Sequence, residues 1–273
     1  MAEVNRAVTL GYDSAPEVWP LFTRTTHCKD FKPFTRVTAP EIPTPAEVGE
    51  HGEIQHATLG ADSAESGQIA SFAEIIKISR EAIINDDLVR ITTTPFEAGR
   101  AVSRLIGDKV FAVLTTNAAL SDGMLLFHAD HGNVGTPGSP SVTTLDELYG
   151  LFAAQTGPSG EVLNIRPRFV IAPPTDASTL AVLRAAMNPP SPGEASSGFI
   201  STLTDSRLTG TTWYALANPI VHDGIQVVLL EGDATPLRFE RRQSSNDSAE
   251  FLIGTDVEVL PVDYRSMCTN AGA

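Results

Sequence analysis

The chain has 273 residues with 42% hydrophobic and 19% charged side chains, a composition that excludes wholesale disorder and fibrous repeats and allows one or two globular domains. Its 33 acidic against 19 basic residues give a formal net charge of -14, which disfavours tight binding to nucleic acid. No apolar run is long enough to cross a membrane and no secretory signal is recognisable, so we expect a protein made in the cytoplasm.

The N-terminal third of the chain shows little helical periodicity. Residues 1–30 are mixed in polarity, and we expect an extended arm with one short helix that needs a partner surface to be ordered. Residues 31–70 alternate in polarity and then run into prolines and glycines, which is typical of a long loop with strand-like edges. From Gln68 the β-branched and aromatic residues predict a strand that ends near Asn85. Residues 31–84 are therefore predicted to form one long two-stranded projection.

The clearest helix is predicted over residues 95–116. Thr94 can cap it, Pro95 suits its first turn, and apolar residues recur three and four positions apart along it. The opposite face carries Arg100 and Arg104, which remain available to water or to a neighbouring molecule.

Shorter elements follow in the rest of the chain. Apolar periodicity predicts two further helices, at 145–155 and 178–187, the second ended by a Pro-Pro pair. Strands are predicted at 168–172, 225–230, 237–241 and 250–263, with a hairpin-like turn at 244–247. No internal repeat is apparent in the sequence.

One segment has the residue types of a metal site. Two imidazoles and a carboxylate, in His128, Asp130 and His131, raise the hypothesis of a metal-dependent hydrolase. The neighbouring Gly132 and Asn133 favour a structured turn instead, in which the histidines hydrogen-bond the backbone. The two cysteines, far apart in sequence, indicate neither a zinc site nor a disulfide framework.

An acidic group lies in the predicted loop. Glu47, Glu50 and Glu53, with His51 and His56, have the composition of a cation site. A solvated loop tip that meets an arginine of a neighbour is the favoured interpretation.

A basic group lies near the C-terminus. Arg238, Arg241 and Arg242 alternate with Glu240 on a predicted strand. This placement favours ion pairing across an interface over contact with DNA.

Three segments, in the same order along the chain, resemble the signature segments of a phage head family. They are SREAIINDDL at 79–88, LFHADHGN at 126–133 and LNIRPRFVIAPP at 163–174, followed by VDYR at 262–265 and NAG at 270–272. The family is that of tailed-phage major capsid proteins of the Hong-Kong-97-type fold. The family is related to Mu-like major head subunits, and in it the capsid domain is often encoded behind a prohead protease module. The resemblance covers the capsid part only and spans essentially the whole chain.

The resemblance implies an α+β Hong-Kong-97-type fold with five parts. They are an N-terminal arm at 1–30, an extended loop or β-hairpin at 31–70, a peripheral domain at 71–164 with a long spine helix at 95–116, an axial domain at 165–232, and C-terminal strands at 233–273 that return to the peripheral domain.

The same resemblance implies a structural protein of the virion, with no catalytic residue, cofactor or metal. It would assemble with itself into pentamers and hexamers of an icosahedral shell, meet a portal and decoration proteins, touch packaged DNA only weakly, and have no membrane partner. The expected interface residues are Glu47, Glu50, Glu53, Arg100, Arg104, Arg238, Arg241 and Arg242. Alternatives are a shell of the same fold in a gene-transfer agent or encapsulin-like compartment and, from a different class, the hydrolase hypothesis.

Some shells of this fold join subunits through an isopeptide bond from a loop lysine. This chain has lysines only at Lys29, Lys32, Lys77 and Lys109, and none between residues 44 and 67 where the loop tip is expected. We therefore expect a shell held by non-covalent contacts.

Overall fold

The computed structural model describes residues 2–37, 64–79, 81, 88–187, 200–231, 237–243 and 248–273. The first elements are helix α1 (Ala2–Asp13), helix α2 (Trp19–Phe22) and strand β1 (Thr23–Cys28). They do not form the extended arm that we expected for residues 1–30. Val8, Trp19 and Phe22 are buried in the chain's own core, so the apolar residues of this segment find their partner surface within the same subunit.

Helix α3 (Leu88–Thr116) is the predicted spine helix, but it begins before residue 95. Pro95 therefore lies inside the helix rather than at its start. A proline inside a helix removes one backbone hydrogen bond, and tertiary packing along the helix outweighs that loss.

The packing of α1 against α3 depends on two glycines. A Cβ on Gly11 would run into the carbonyl oxygen of Phe96, and a Cβ on Gly99 would run into the carbonyl oxygen of Val8. The two helices thus approach to backbone contact, which only residues without a side chain allow.

The larger sheet has five strands within the described residues: β1, β4 (Ala70–Ser79), β8 (Ile225–Leu230), β9 (Arg238–Gln243) and β10 (Ser248–Pro261). β10 pairs with β4 along one side, and with β9 and then β8 along the other, all antiparallel. β1 lies parallel to β8. The strands predicted near 225–230, 237–241 and 250–263 are confirmed.

Strand β4 belongs to this sheet, which corrects the prediction of one projection over residues 31–84. Phe72 and Ile76 pack on the core beneath the sheet, and that burial is available only beside β10. The base of a projection is present, because β2 (Phe34–Val37) and β3 (Ala64–Gly67) pair antiparallel. Residues 38–63, which join them, lie outside the described residues.

The smaller sheet has the order β11-β7-β5-β6, formed by β11 (Met267–Asn270), β7 (Trp213–Ala217), β5 (Pro167–Ala172) and β6 (Ser201–Thr204). Helices α4 (Val142–Ala153) and α5 (Ala177–Met187) complete this part of the fold, and both were predicted. α4 begins slightly earlier than expected because Ser141 and Thr144 form a capping box. The Ser141 hydroxyl accepts from Thr144 N–H, and the Thr144 hydroxyl accepts from Ser141 N–H.

Two main cores hold the described elements together. One lies between α3 and the larger sheet and includes the fully buried Ile106 and Val257. The other lies between α4, α5 and the smaller sheet and is centred on Trp213, Phe152 and Leu180. Within the part of the chain that the structure describes, no helix is long and apolar enough to span a membrane.

Candidate assembly interface

The His128 segment is a structured turn, as predicted. Residues Ala129–His131 form one 3-10 turn, and Nδ1 of His128 accepts from Asp130 N–H at 3.2 Å. The turn ends at Gly132, whose φ of 61° is the left-handed conformation that glycine adopts without strain. Asn133 fixes the turn from behind, since its Oδ1 accepts from His128 N–H and its Nδ2 donates to Leu126 O.

Both ring nitrogens of His131 are engaged in these structural contacts. Nε2 lies 2.8 Å from Oδ2 of Asp122, and Nδ1 lies 3.2 Å from the carbonyl oxygen of Leu126. The side chain is only 4% exposed. Burial alone raises the pKa of Asp122, but hydrogen bonds from Met124 N–H and from His131 hold it below its ordinary value.

This geometry does not favour the hydrolase hypothesis. The rings of His128 and His131 lie 6.3 Å apart at a steep angle, so their nitrogens do not converge on one ion. Among the residues that the structure describes, no three His, Cys, Asp or Glu side chains are arranged to hold a metal. Cys28 and Cys268 are both free thiols, and burial raises the pKa of Cys268 above its ordinary value.

Two of the expected interface residues lie on the exposed side of α3. Arg100 forms an ion pair with Glu97 of the same helix at 3.0 Å, and both remain in contact with solvent. Arg104 is exposed, and its carbonyl oxygen accepts from Arg207. Their role at an interface stays a prediction.

The other expected interface residues lie at or beyond the edge of what is described. Arg238, Arg241 and Arg242 lie on β9, whose backbone pairs with β10. The acidic group and its two histidines, at positions 47–56, lie outside the described residues.

An apolar turn between β7 and β8 was not predicted from the sequence. Ile220 and Val221 are 85% and 68% exposed, although both are β-branched apolar residues. The turn is fixed in shape because Asn218 Oδ1 accepts from Ile220 N–H and Asn218 O accepts from Val221 N–H. The Asn-Pro pair before two apolar residues was the available signal.

A groove of about 750 Å³ runs between α3 and strands β4 and β10. Apolar side chains line it, including Phe72, Leu105 and Ile253, and Glu74 and Glu97 also belong to its wall. Pockets of this kind are suited to apolar side chains of another segment rather than to a small polar substrate.

Comparison with known proteins finds one protein family whose model matches the chain and several solved structures that share its fold. The model of a family described as phage capsid protein matches residues 63–270. No curated protein sequence matches the chain.

Three solved structures illustrate the fold. The virus-like particle from Pyrococcus furiosus matches with a TM-score of 0.59 and 12% identity, over 98% of this chain and 98% of that chain. The capsid of an empty GTA particle matches with a TM-score of 0.60 and 11% identity, over 94% of this chain and 89% of that chain. The structure from Microbacterium phage Oxtober96 matches with a TM-score of 0.55 and 11% identity, over 94% of this chain and 91% of that chain.

Proposed function

This chain belongs to the phage capsid protein family, and from that premise we propose that it is the major head subunit of a tailed phage, assembling into an icosahedral shell around double-stranded DNA. The family match across residues 63–270 is the observation that carries the proposal. The predicted α+β fold is confirmed, and it is shared with the virus-like particle and capsid chains compared above.

The extended loop at 31–70 is the first element of the proposed assembly. Its described base is anchored to the body of the subunit, because Oε1 of Glu65 accepts from both the N–H and the hydroxyl of Ser121, at 2.9 and 2.7 Å. Gln68 Nε2 also donates to the carbonyl oxygen of Phe31 at 2.9 Å. We propose that the loop carried by this base contacts a neighbouring subunit.

The turn at Ile220 and Val221 is the second element. Two adjacent exposed apolar side chains on a turn of fixed shape lose little conformational entropy when a neighbour covers them. In the proposed shell this turn, which belongs to the axial part at 165–232, is buried between subunits.

The net charge fits a container for DNA. A subunit with a formal charge of -14 binds the packaged genome only weakly, so that DNA can enter and leave. Strength then comes from many weak subunit contacts acting together. A portal and decoration proteins are the proposed further partners, and the virion is the proposed location.

A compartment that holds protein cargo instead of DNA is a second candidate, favoured by the likeness to the virus-like particle. The contents of the shell separate the two. Nuclease-protected DNA of uniform length identifies a phage head or a gene-transfer agent, and an enclosed protein identifies a cargo compartment.

Electron microscopy of purified wild-type protein tests assembly itself. We expect closed, uniform particles, and a monodisperse monomer under all assembly conditions would contradict the proposal. The variant Ile220→Asp should keep its fold and form far fewer particles, because it places a charge in an apolar contact. Thr143→Asp, a charge at an exposed polar position of α4, is the matched control and should assemble normally. Normal particles from Ile220→Asp would exclude the turn from the interface.

A further inference from the structure

Arg207 lies between β6 and β7, and its guanidinium contacts three carboxylates from separate parts of the fold. Nη1 and Nη2 donate to the two carboxylate oxygens of Glu17, each at 2.9 Å. Nε donates to Asp108 of α3, and Nη1 also donates to Asp205 at 3.0 Å. One side chain thus joins the segment between α1 and α2, the spine helix, and the turn that follows β6.

Two of the three carboxylates in this cluster are withdrawn from water, whereas the side chain of Asp108 is 66% exposed. The side chains of Glu17 and Asp205 are 7% and 8% exposed. Burial alone lowers the pKa of Arg207, but the hydrogen bonds to Glu17 and Asp108 and the charge of Asp205 outweigh it and raise the pKa. Removal of the guanidinium would leave two buried negative charges side by side without a cation.

The spine helix is shaped to admit this cluster. A Cβ on Gly107 would lie 2.6 Å from Oε2 of Glu17 and 2.9 Å from Nη2 of Arg207. The guanidinium also packs 5.5 Å from the ring centre of Phe111 and donates to the carbonyl oxygen of Arg104. Gly107 therefore leaves room on α3 for Glu17 and Arg207, and a larger residue at this position would clash with them.

We propose that Arg207 is an ionic joint that fixes the angle between the smaller sheet and the spine helix, and through that angle the curvature of the assembled shell. Apolar contacts between the two parts favour close packing but have no fixed direction of their own. A forked guanidinium with two buried carboxylates has a strict geometry and resists a change of angle. The joint rests on the proposed shell function, since curvature has meaning only in an assembly.

The test compares the wild type with Arg207→Gln, Glu17→Gln and Gly107→Ala. Circular dichroism reports folding, and electron microscopy reports particle yield and diameter. We expect folded subunits of each variant to give at least tenfold fewer closed shells, with a broad spread of diameters. Arg24→Gln is the matched control, because the Arg24 side chain is half exposed where it pairs with Asp223, and the variant should assemble as the wild type does.

Wild-type yield and diameter from folded Arg207→Gln would overturn the joint while leaving the shell function intact. If Arg207→Gln does not fold, Glu17→Gln decides, because it keeps an oxygen facing the guanidinium: shells of normal diameter would then overturn the proposal. A wild-type chain that forms no closed particle would instead refute the proposed function.

Discussion

The rings of His131 and Tyr264 are stacked face to face, with centroids 3.9 Å apart and planes within 8° of parallel. The guanidinium carbon of Arg265 lies 4.8 Å from the centre of the Tyr264 ring. The stack joins the loop that follows α3 to the turn that precedes β11, two segments far apart in sequence. The His128 turn therefore helps to hold these two segments together.

Substitution Asp122→Asn should weaken the subunit in a pH-dependent way. The pKa of Asp122 is held below its ordinary value of 3.8, so the charged form is favoured in the folded state. Its contribution to the free energy of unfolding, roughly 1 kcal/mol, is then present at neutral pH and is lost as the pH falls below about 4. Thermal unfolding at pH 7 and pH 3 measures this: the variant should be less stable than the wild type at pH 7, and the difference between the two should be smaller at pH 3. Asp146→Asn, at an exposed carboxylate of α4, should change stability at neither pH.

Substitution Gly99→Ala should destabilise the subunit by about 2 kcal/mol, because the added methyl group meets the Val8 carbonyl oxygen and forces α1 away from α3. Gly150→Ala is its control in α4, where a Cβ would meet nothing within 4 Å. That change should be neutral or raise stability by up to about 1 kcal/mol. Urea unfolding of both variants gives the comparison, and equal stability of the two would contradict the close helix crossing.

The loop tip at Glu47 to Glu53 should resist protease only in assembled particles. This segment has few apolar residues to bury on its own subunit, so protection must come from a neighbour. Limited proteolysis of free subunits and of particles, followed by mass spectrometry, measures the difference. Equal cleavage rates in the two samples would count against the assignment of this loop to an intersubunit contact.

Mature particles should dissociate to monomers in hot detergent. The chain has no lysine between residues 44 and 67, and Lys109 belongs to α3, where its amine lies 4.5 Å from the ring centre of Phe72. A denaturing gel should give one band near 29.0 kDa. A ladder of multimers that survives reducing agent would show covalent joints and refute the expectation of a non-covalent shell.

The elements with strong periodicity could be predicted from the sequence, and those defined by contacts could not. Helix α5 and strand β8 carry apolar residues at the spacing of their own geometry, and both were placed within a residue. The start of α3 was missed because Pro95 has the local signature of a first turn, whereas packing against α1 extends the helix beyond it. The short strands β6, β7 and β11 are specified by neighbours in the smaller sheet rather than by pattern.

The same distinction holds for the individual sites: those with a local sequence pattern could be predicted, and those formed by distant residues could not. The turn at His128 was predicted because glycine and asparagine have strong local preferences. The Arg207 cluster was not, because Glu17, Asp108 and Arg207 are separated along the chain and none has a pattern that indicates its partners. Leu105 follows the apolar repeat of the spine helix, yet it is only partly buried and lines the groove, since the repeat gives the face of a helix but not the depth of its cover.

The parallel pairing of β1 with β8 has a consequence for how the subunit is made. Thr23–Cys28 leaves the ribosome early, yet its partner Ile225–Leu230 is synthesised about 200 residues later, and β10 later still. The larger sheet cannot close until β8 and β10 have emerged, and α1 cannot pack before α3 has been made. An unfinished chain thus lacks the completed surface that a neighbour would recognise, so synthesis itself delays polymerisation until each subunit is whole.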